Sequence, residues 1–133
     1  MIVLDTNVLI EIFKDNQSTL EKVHSFNYPL AISSITVMEL FYGALNKTEV
    51  KKLEKFVALF EIIDINETIS KQSTTLIRTY AKSHKLDIPD GLIASTALVL
   101  DTPLFTYNLK DFRFIDGLLL EDIIRGDNNE KTR

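Results

Sequence analysis

The 133-residue sequence contains no cysteine and no tryptophan, and only two histidines, His24 and His84. Without cysteine there is no disulfide, no thiolate metal ligand and no thiol nucleophile. Two histidines are too few for a zinc site built mainly on imidazole. No stretch approaches the roughly 20 apolar residues that a membrane span needs. The apolar N-terminus, MIVLDTNVLIEIFK, has no basic segment before it and is interrupted by Asp5, so it does not read as a signal peptide. The chain is therefore expected to be soluble and cytoplasmic. Positive charge is also in deficit: 15 basic against 19 acidic residues give a net charge of −4. That balance argues against passive nucleic-acid binding through a basic surface. Two bound Mg²⁺ ions would cancel the formal excess.

What is present is a globular domain. Hydrophobic residues make up 45% of the chain, enough for a sizeable core, and charged residues 26%, an ordinary surface share. The length fits one domain, expected over 1–125, with a frayed tail over 126–133. Met1–Leu4 is a short continuous apolar run of the kind found in buried parallel strands. The residues after it favour turns and caps, and Val8, Leu9, Ile12 and Phe13 recur at helical spacing. A short helix is predicted over Thr19–Phe26, a second strand over Leu30–Ser33 capped by Ser33-Ser34, and a helix over Ile35–Leu45 with Gly43 near its end. An amphipathic helix follows over Thr48–Phe60, with its lysines Lys51, Lys52 and Lys55 on the wet side. Ile62–Ile65 reads as a third strand. The next helix is capped at Asn66 or Thr68 and runs to about His84, and another covers Gly91–Leu100. Leu104–Tyr107 reads as a fourth strand and Leu118–Leu120 as a possible last one. Strands alternate with helices almost throughout, which predicts an α/β domain with a central, mostly parallel sheet of four to five strands flanked by helices.

In such sheets the functional crevice lies beyond the carboxyl ends of the strands. Asp5 follows the first strand directly and Asn108 the fourth. Asp90 sits at a helix N-terminus, where free N–H groups and the helix dipole favour negative charge. Glu39 lies in a helix among Val37, Met38, Leu40 and Phe41, and a carboxylate turned toward the core there needs a cation or donors. Hard cations such as Mg²⁺ take oxygen ligands, usually few carboxylates together with water and phosphate oxygens. On residue chemistry alone each group also has a plainer reading. Asp5 and Asp90 are good helix caps, Glu39 fits a solvated helix face, Asn108 fits a turn, and Asp111 fits the surface.

The wording around these residues narrows the choice. Residues 1–7 (MIVLDTN), 35–43 (ITVMELFYG), 88–97 (IPDGLIASTA) and 104–112 (LFTYNLKDF) follow one another in the order and at the spacing of four motifs. In this the chain resembles PIN domains, specifically VapC-type toxins of bacterial and archaeal toxin–antitoxin pairs, over residues 1 to about 120. The resemblance implies a PIN-like fold and an endoribonuclease requiring Mg²⁺ or Mn²⁺. It implies Asp5, Glu39 and Asp90 in the metal site and places the fourth position, often Asp or Asn, on Asn108. A neutral residue there leaves the site one charge lighter, and Asp111 is the nearby carboxylate able to supply it. Thr6 and Thr106 are expected to orient ligands or phosphate. The resemblance further implies an RNA substrate, a homodimer and a cognate antitoxin protein, with DNA met only through the antitoxin and no membrane.

Two other functions fit parts of the pattern. A catalytically impaired PIN-like module that binds RNA or protein is compatible with Asn108. A phosphatase with Asp5 as nucleophile is compatible with strand-then-Asp, but position 7, where an acid would be expected, is Asn. His24 and His84 read as surface residues. Phe41, Tyr42, Phe56 and Phe60 read as core, with some available to a groove or dimer face. The lysines at 47, 51, 52 and 55 read as a solvated helix side with a secondary possibility of guiding RNA.

Overall fold

The computed structural model describes residues 1–121, so the tail expected over 126–133 lies outside the described residues. Four strands, β1 (Ile2–Leu4), β2 (Leu30–Ser33), β3 (Glu61–Ile63) and β4 (Leu104–Phe105), form one sheet in the order β3-β2-β1-β4. Every pairing is parallel: Val3 registers with Ala31 on one side and Leu104 on the other, and Ala31 with Glu61. Among the described residues six α-helices connect and flank the strands: α1 (Thr6–Phe13), α2 (Gln17–His24), α3 (Ser34–Tyr42), α4 (Lys47–Val57), α5 (Glu67–His84) and α6 (Ile88–Leu100). Parallel strands need crossover connections, and here each crossover contributes at least one helix to cover the sheet. The predicted α/β class and parallel sheet are the observed ones. Among the described residues no helix is long and apolar enough to cross a membrane.

The sheet divides two cores. Ile2, Leu4, Ile32 and Phe105 pack with Val8, Leu9, Leu53 and Val57 from α1 and α4. On the other side Val3 and Leu104 pack with Leu76, Ile93, Ala94 and Ala97 from α5 and α6. β1 is buried on both faces, which is why it reads as an unbroken apolar run rather than an alternating one. Helices α5 and α6 approach closely at Gly91, where an added Cβ would stand 2.9 Å from Ile77 Cδ1. This contact fixes the N-terminal turn of α6 and with it Asp90.

Several element ends differ from the sequence reading, each for a local reason. Helix α3 stops at Tyr42, where the Gly43 N–H bonds the Glu39 carbonyl. Helix α4 starts at Lys47 because Asn46 caps it, and stops at Val57. Tight turns then bond Leu59 N–H to Phe56 and Phe60 N–H to Val57, so the chain enters β3 at Glu61, one residue earlier than expected. β4 is two residues, not four, because Thr106 turns its hydroxyl into a side-chain network and leaves the ladder. The last expected strand is a single bridge, Leu120 beside Leu104. Tyr42 is not core: it is 95% exposed, projecting from the end of α3.

Candidate active site

Because all strands are parallel, the ends of β1, β2 and β4 open on one edge. Asp5 leaves β1 there and is 5% exposed. Its Oδ1 accepts the Thr6 backbone N–H at 2.8 Å, capping α1, and its Oδ2 accepts the Thr106 hydroxyl at 2.7 Å. Thr106 in turn accepts the Asn108 N–H at 2.9 Å, so a chain of donors runs from the loop after β4 into the Asp5 carboxylate. Capping and a second role are compatible here, because two neutral donors hold the carboxylate, one on each oxygen, without neutralising it.

Glu39 is half-buried on α3, one turn beyond its start. Its Oε1 accepts the Thr6 hydroxyl at 2.7 Å, and the Thr36 hydroxyl lies 2.9 Å from that same oxygen of Thr6. Thr6 has one hydroxyl proton and gives it to the carboxylate, so Thr36 donates to Thr6. Thr6 thus holds one oxygen of Glu39, and Thr106 one oxygen of Asp5. Thr36, fully buried, completes the first chain and was missed. Its spacing of three from Glu39, on the same helix face, was the available signal.

Asp90 does not cap α6. Asp87 does, accepting the Asp90 N–H at 2.9 Å on its own carboxylate, and Asp90 falls in the first turn behind Pro89. The Asp90 carboxylate is free of that duty. Its pKa is raised from the usual 3.8 to about 7, first by burial and then by the charges of Asp87, Asp5, Asp111 and Glu39. Asp5 is also raised, chiefly by burial; the Thr106 and Thr6 hydrogen bonds offset part of this, and Glu39 and Asp111 add to it. The fold holds Asp5, Glu39, Asp90 and Asp111, from four separate segments, near enough for their charges to act on Asp5 and Asp90 despite the repulsion.

Asn108 and Asp111 occupy the two ends of the same loop. Asp111 closes a short 3-10 helix (Leu109–Asp111) and is half-buried, and its charge acts on Asp5 and Asp90. Asn108 precedes that helix, is exposed, and makes no side-chain cap to it. The carboxylates whose charges act on both Asp5 and Asp90 include Asp111, whereas Asn108 is neutral. Among the described residues no three carboxylate or imidazole side chains converge as a ready-made metal cage. The donor set still fits a hard divalent cation. It is all oxygen, among the described residues no lysine or arginine pairs with its carboxylates, and Mg²⁺ keeps several waters and takes only one or two direct carboxylates.

The Asp5–Thr106 contact is testable by itself. Thr106→Val keeps the shape but leaves one oxygen of a buried carboxylate and the Asn108 N–H without their partner. A loss of about 1–3 kcal/mol in stability is expected, largely restored by Thr106→Ser. An unchanged urea midpoint in Thr106→Val would show that the network does not hold Asp5.

A PIN-domain family model matches residues 2–118. The chain belongs to the PIN-domain family. Within it, the chain is of the VapC ribonuclease type. It is 35% identical to Ribonuclease VapC2 of Rickettsia felis over 133 aligned positions, covering 90% of this chain and 95% of that one. It is 37% identical to Ribonuclease VapC1 of Methanocaldococcus jannaschii over 112 residues, covering 84% and 78% respectively. The fold superposes with a TM-score of 0.78 on a chain of VapBC2 from Rickettsia felis, solved bound to a DNA fragment from their promoter, at 34% identity and covering 91% and 98% of the two chains. The parallel sheet described above is thus that of a PIN domain.

Proposed function

We propose that this PIN domain is an endoribonuclease toxin that hydrolyses RNA phosphodiester bonds with Mg²⁺ or Mn²⁺ held at Asp5, Glu39, Asp90 and Asp111, and with Asn108 at the rim rather than among the ligands. The observation that carries the reading is the unbalanced charge. Asp5 and Asp90 are both held above the ordinary carboxylate range by burial and by the other acids around them. A fold that keeps such an arrangement at the functional edge of a parallel sheet fits a bound cation better than it fits stability. When bound, the cation supplies charge neutralisation at the phosphate and an acidified water. The chain's own residues hold the geometry: Thr106 fixes Asp5, and Thr36 and Thr6 fix Glu39. The net charge of −4 makes the cation necessary for binding as well, since a polyanion otherwise meets an acidic edge. Overall the reaction adds water across one P–O ester bond, the water oxygen joining phosphorus and one proton passing to the departing sugar oxygen.

The toxin reading extends to partners. A groove of about 390 Å³ runs beside Glu39, lined by Ile10, Phe13, Leu40 and Leu53, with exposed Leu45 at its mouth. It fits an apolar segment of a cognate antitoxin, with a basic side chain meeting the carboxylates. Promoter DNA would then be contacted through the antitoxin, and the toxin itself would be a homodimer in the cytoplasm.

The test is cleavage of a panel of single-stranded and transfer RNAs by folded, antitoxin-free protein. Discrete cuts are expected with Mg²⁺ or Mn²⁺ and none with EDTA. Intact RNA under every metal, or equal cutting in EDTA, would refute the metal-nuclease reading. RNA binding without turnover would leave the catalytically impaired module in its place.

A further inference from the structure

We propose that the polar pocket between α1, α2 and the loop after β4 is a nucleobase-recognition subsite, which receives a base flanking the scissile phosphate and favours one with an exocyclic amino group over uracil. The inference rests on the nuclease reading of the adjoining carboxylate edge. The pocket has a volume of about 450 Å³ and is lined by Asn7, Glu11, Asn16, Thr19, Tyr107 and Asn108, among others. It adjoins the acidic edge through the chain itself. Asn7 is two residues beyond Asp5, and Tyr107 and Asn108 directly follow Thr106, whose hydroxyl holds Asp5.

Its chemistry differs from that of a phosphate site. Among the described residues no lysine or arginine lines it, whereas carboxamides, a carboxylate and a phenol do. These are the groups that read base edges: Asn pairs a donor with an acceptor, and a carboxylate accepts from an amino group. Tyr107 supplies the flat surface. The residue is 44% exposed, its ring packs edge-on against Phe105 at 5.3 Å, and its hydroxyl meets the Thr19 hydroxyl at 2.6 Å. An aromatic pinned at both ends loses little freedom when an unstacked base lies on it, and single-stranded RNA is read in this way.

Local structure uses only part of this polarity. Asn16 is spent: its oxygen caps α2 through the Thr19 N–H and accepts from Ser18, and its amide donates to Glu11 at 2.9 Å. Glu11 keeps acceptor capacity, its second oxygen having only Lys14 at 3.9 Å. Asn7 accepts a long 3.4 Å bond from the Tyr107 N–H, and its amide protons make no hydrogen bond among the described residues. The Asn108 carboxamide makes no hydrogen bond among the described residues. Donors at Asn7 and Asn108 and an acceptor-only group at Glu11 therefore face one cavity beside a stacking surface. Glu11 accepts from adenine N6 or cytosine N4 and is repelled by uracil O4.

The test is sequencing of the ends produced from an RNA with a randomised stretch, by wild type, Glu11→Gln, Tyr107→Ala and Tyr107→Phe, each first shown by thermal melting to be folded. Wild type is expected to show an amino-base bias at one position beside the cut. Glu11→Gln should admit uracil there, because a carboxamide can donate to O4. Tyr107→Ala should flatten that position, while Tyr107→Phe, which keeps the ring and loses only the Thr19 contact, should retain the bias. A bias identical in all four proteins, or absent from wild type, overturns the subsite. Failure of the nuclease reading is separated by fluorescence anisotropy with labelled A, C and U pentamers in EDTA. If nothing is cut but A and C pentamers bind roughly tenfold better than U, with the difference lost in Tyr107→Ala, the pocket stands without the chemistry. Equal binding of all three overturns it.

Discussion

Asp90→Asn is expected to abolish metal-dependent RNA cleavage while raising the melting temperature of the cation-free protein above that of wild type at pH 8. The two effects share one origin. In the folded chain the Asp90 carboxyl titrates near 7 because it is partly buried among Asp87, Asp5, Asp111 and Glu39. At pH 8 it is ionised and repelled. Asparagine keeps its size, retains the N–H that Asp87 caps, and removes the charge. Full conversion of the shift would overstate the gain, because the group is partly solvated. A relief on the order of 1–2 kcal/mol, or several degrees of melting temperature, is the realistic scale. Cleavage should move the other way, falling on the order of a hundredfold or more, since the lost charge is one that the proposed cation needs to be held. Melting in EDTA and initial rates with Mn²⁺ on the same preparation check both limbs. Retained cleavage would remove Asp90 from the metal site, and a lowered melting temperature would show that its charge is compensated in the fold. A stabilised, inactive variant is the signature of a residue kept for function at the expense of stability.

The parts of this arrangement that were legible in the sequence are those dictated by short-range chemistry. The apolar run Ile2–Leu4, broken by Asp5, marks a buried strand ending in a polar group. Glu39 stood out because its neighbours are apolar, and Ser33 and Asn66 announced the helices they cap. What escaped depended on competition between nearby equivalents. Asp87 and Asp90 are both plausible caps. Position 87 prevailed because Pro89, which lacks an N–H, suits the first turn of a helix, so the cap must lie before it. Asn108 and Asp111 stand three residues apart across a 3-10 turn, and no local pattern shows that the charge of Asp111 acts on Asp5. Thr106 scans as a strand residue, yet its hydroxyl has a buried carboxylate to satisfy, and that bond ends β4 early. The pocket at Asn7, Asn16 and Tyr107 gathers side chains that lie up to a hundred residues apart, as Asn7 and Tyr107 do, and no local pattern reports it.

Divalent cations are expected to stabilise this protein far more at pH 8 than at pH 5. The sign follows from which state holds the proton. The unfolded chain gives up the Asp90 proton near 3.8, whereas the folded chain keeps it to about 7. Between those values the folded state binds more protons, so raising the pH draws the equilibrium toward unfolding; the contribution is fully present below about 4 and lost as pH passes 7. Asp5 acts in the same direction. The cation-free protein should therefore melt at a lower temperature at pH 8 than at pH 5. A cation binds only the ionised carboxylates and must displace protons to do so at pH 5, but not at pH 8. Saturation to about a hundred times its dissociation constant would add roughly 2.7 kcal/mol at the higher pH. Thermal melts with EDTA, Mg²⁺ or Mn²⁺ at the two pH values, repeated on Asp90→Asn, make the comparison. Equal cation shifts at both pH values, or an undiminished shift in the variant, would mean that cations bind elsewhere. A large shift at pH 8 that disappears in Asp90→Asn would tie cation binding to this edge without reference to catalysis, and would separate a metal-holding site from a cluster of acids that is merely tolerated.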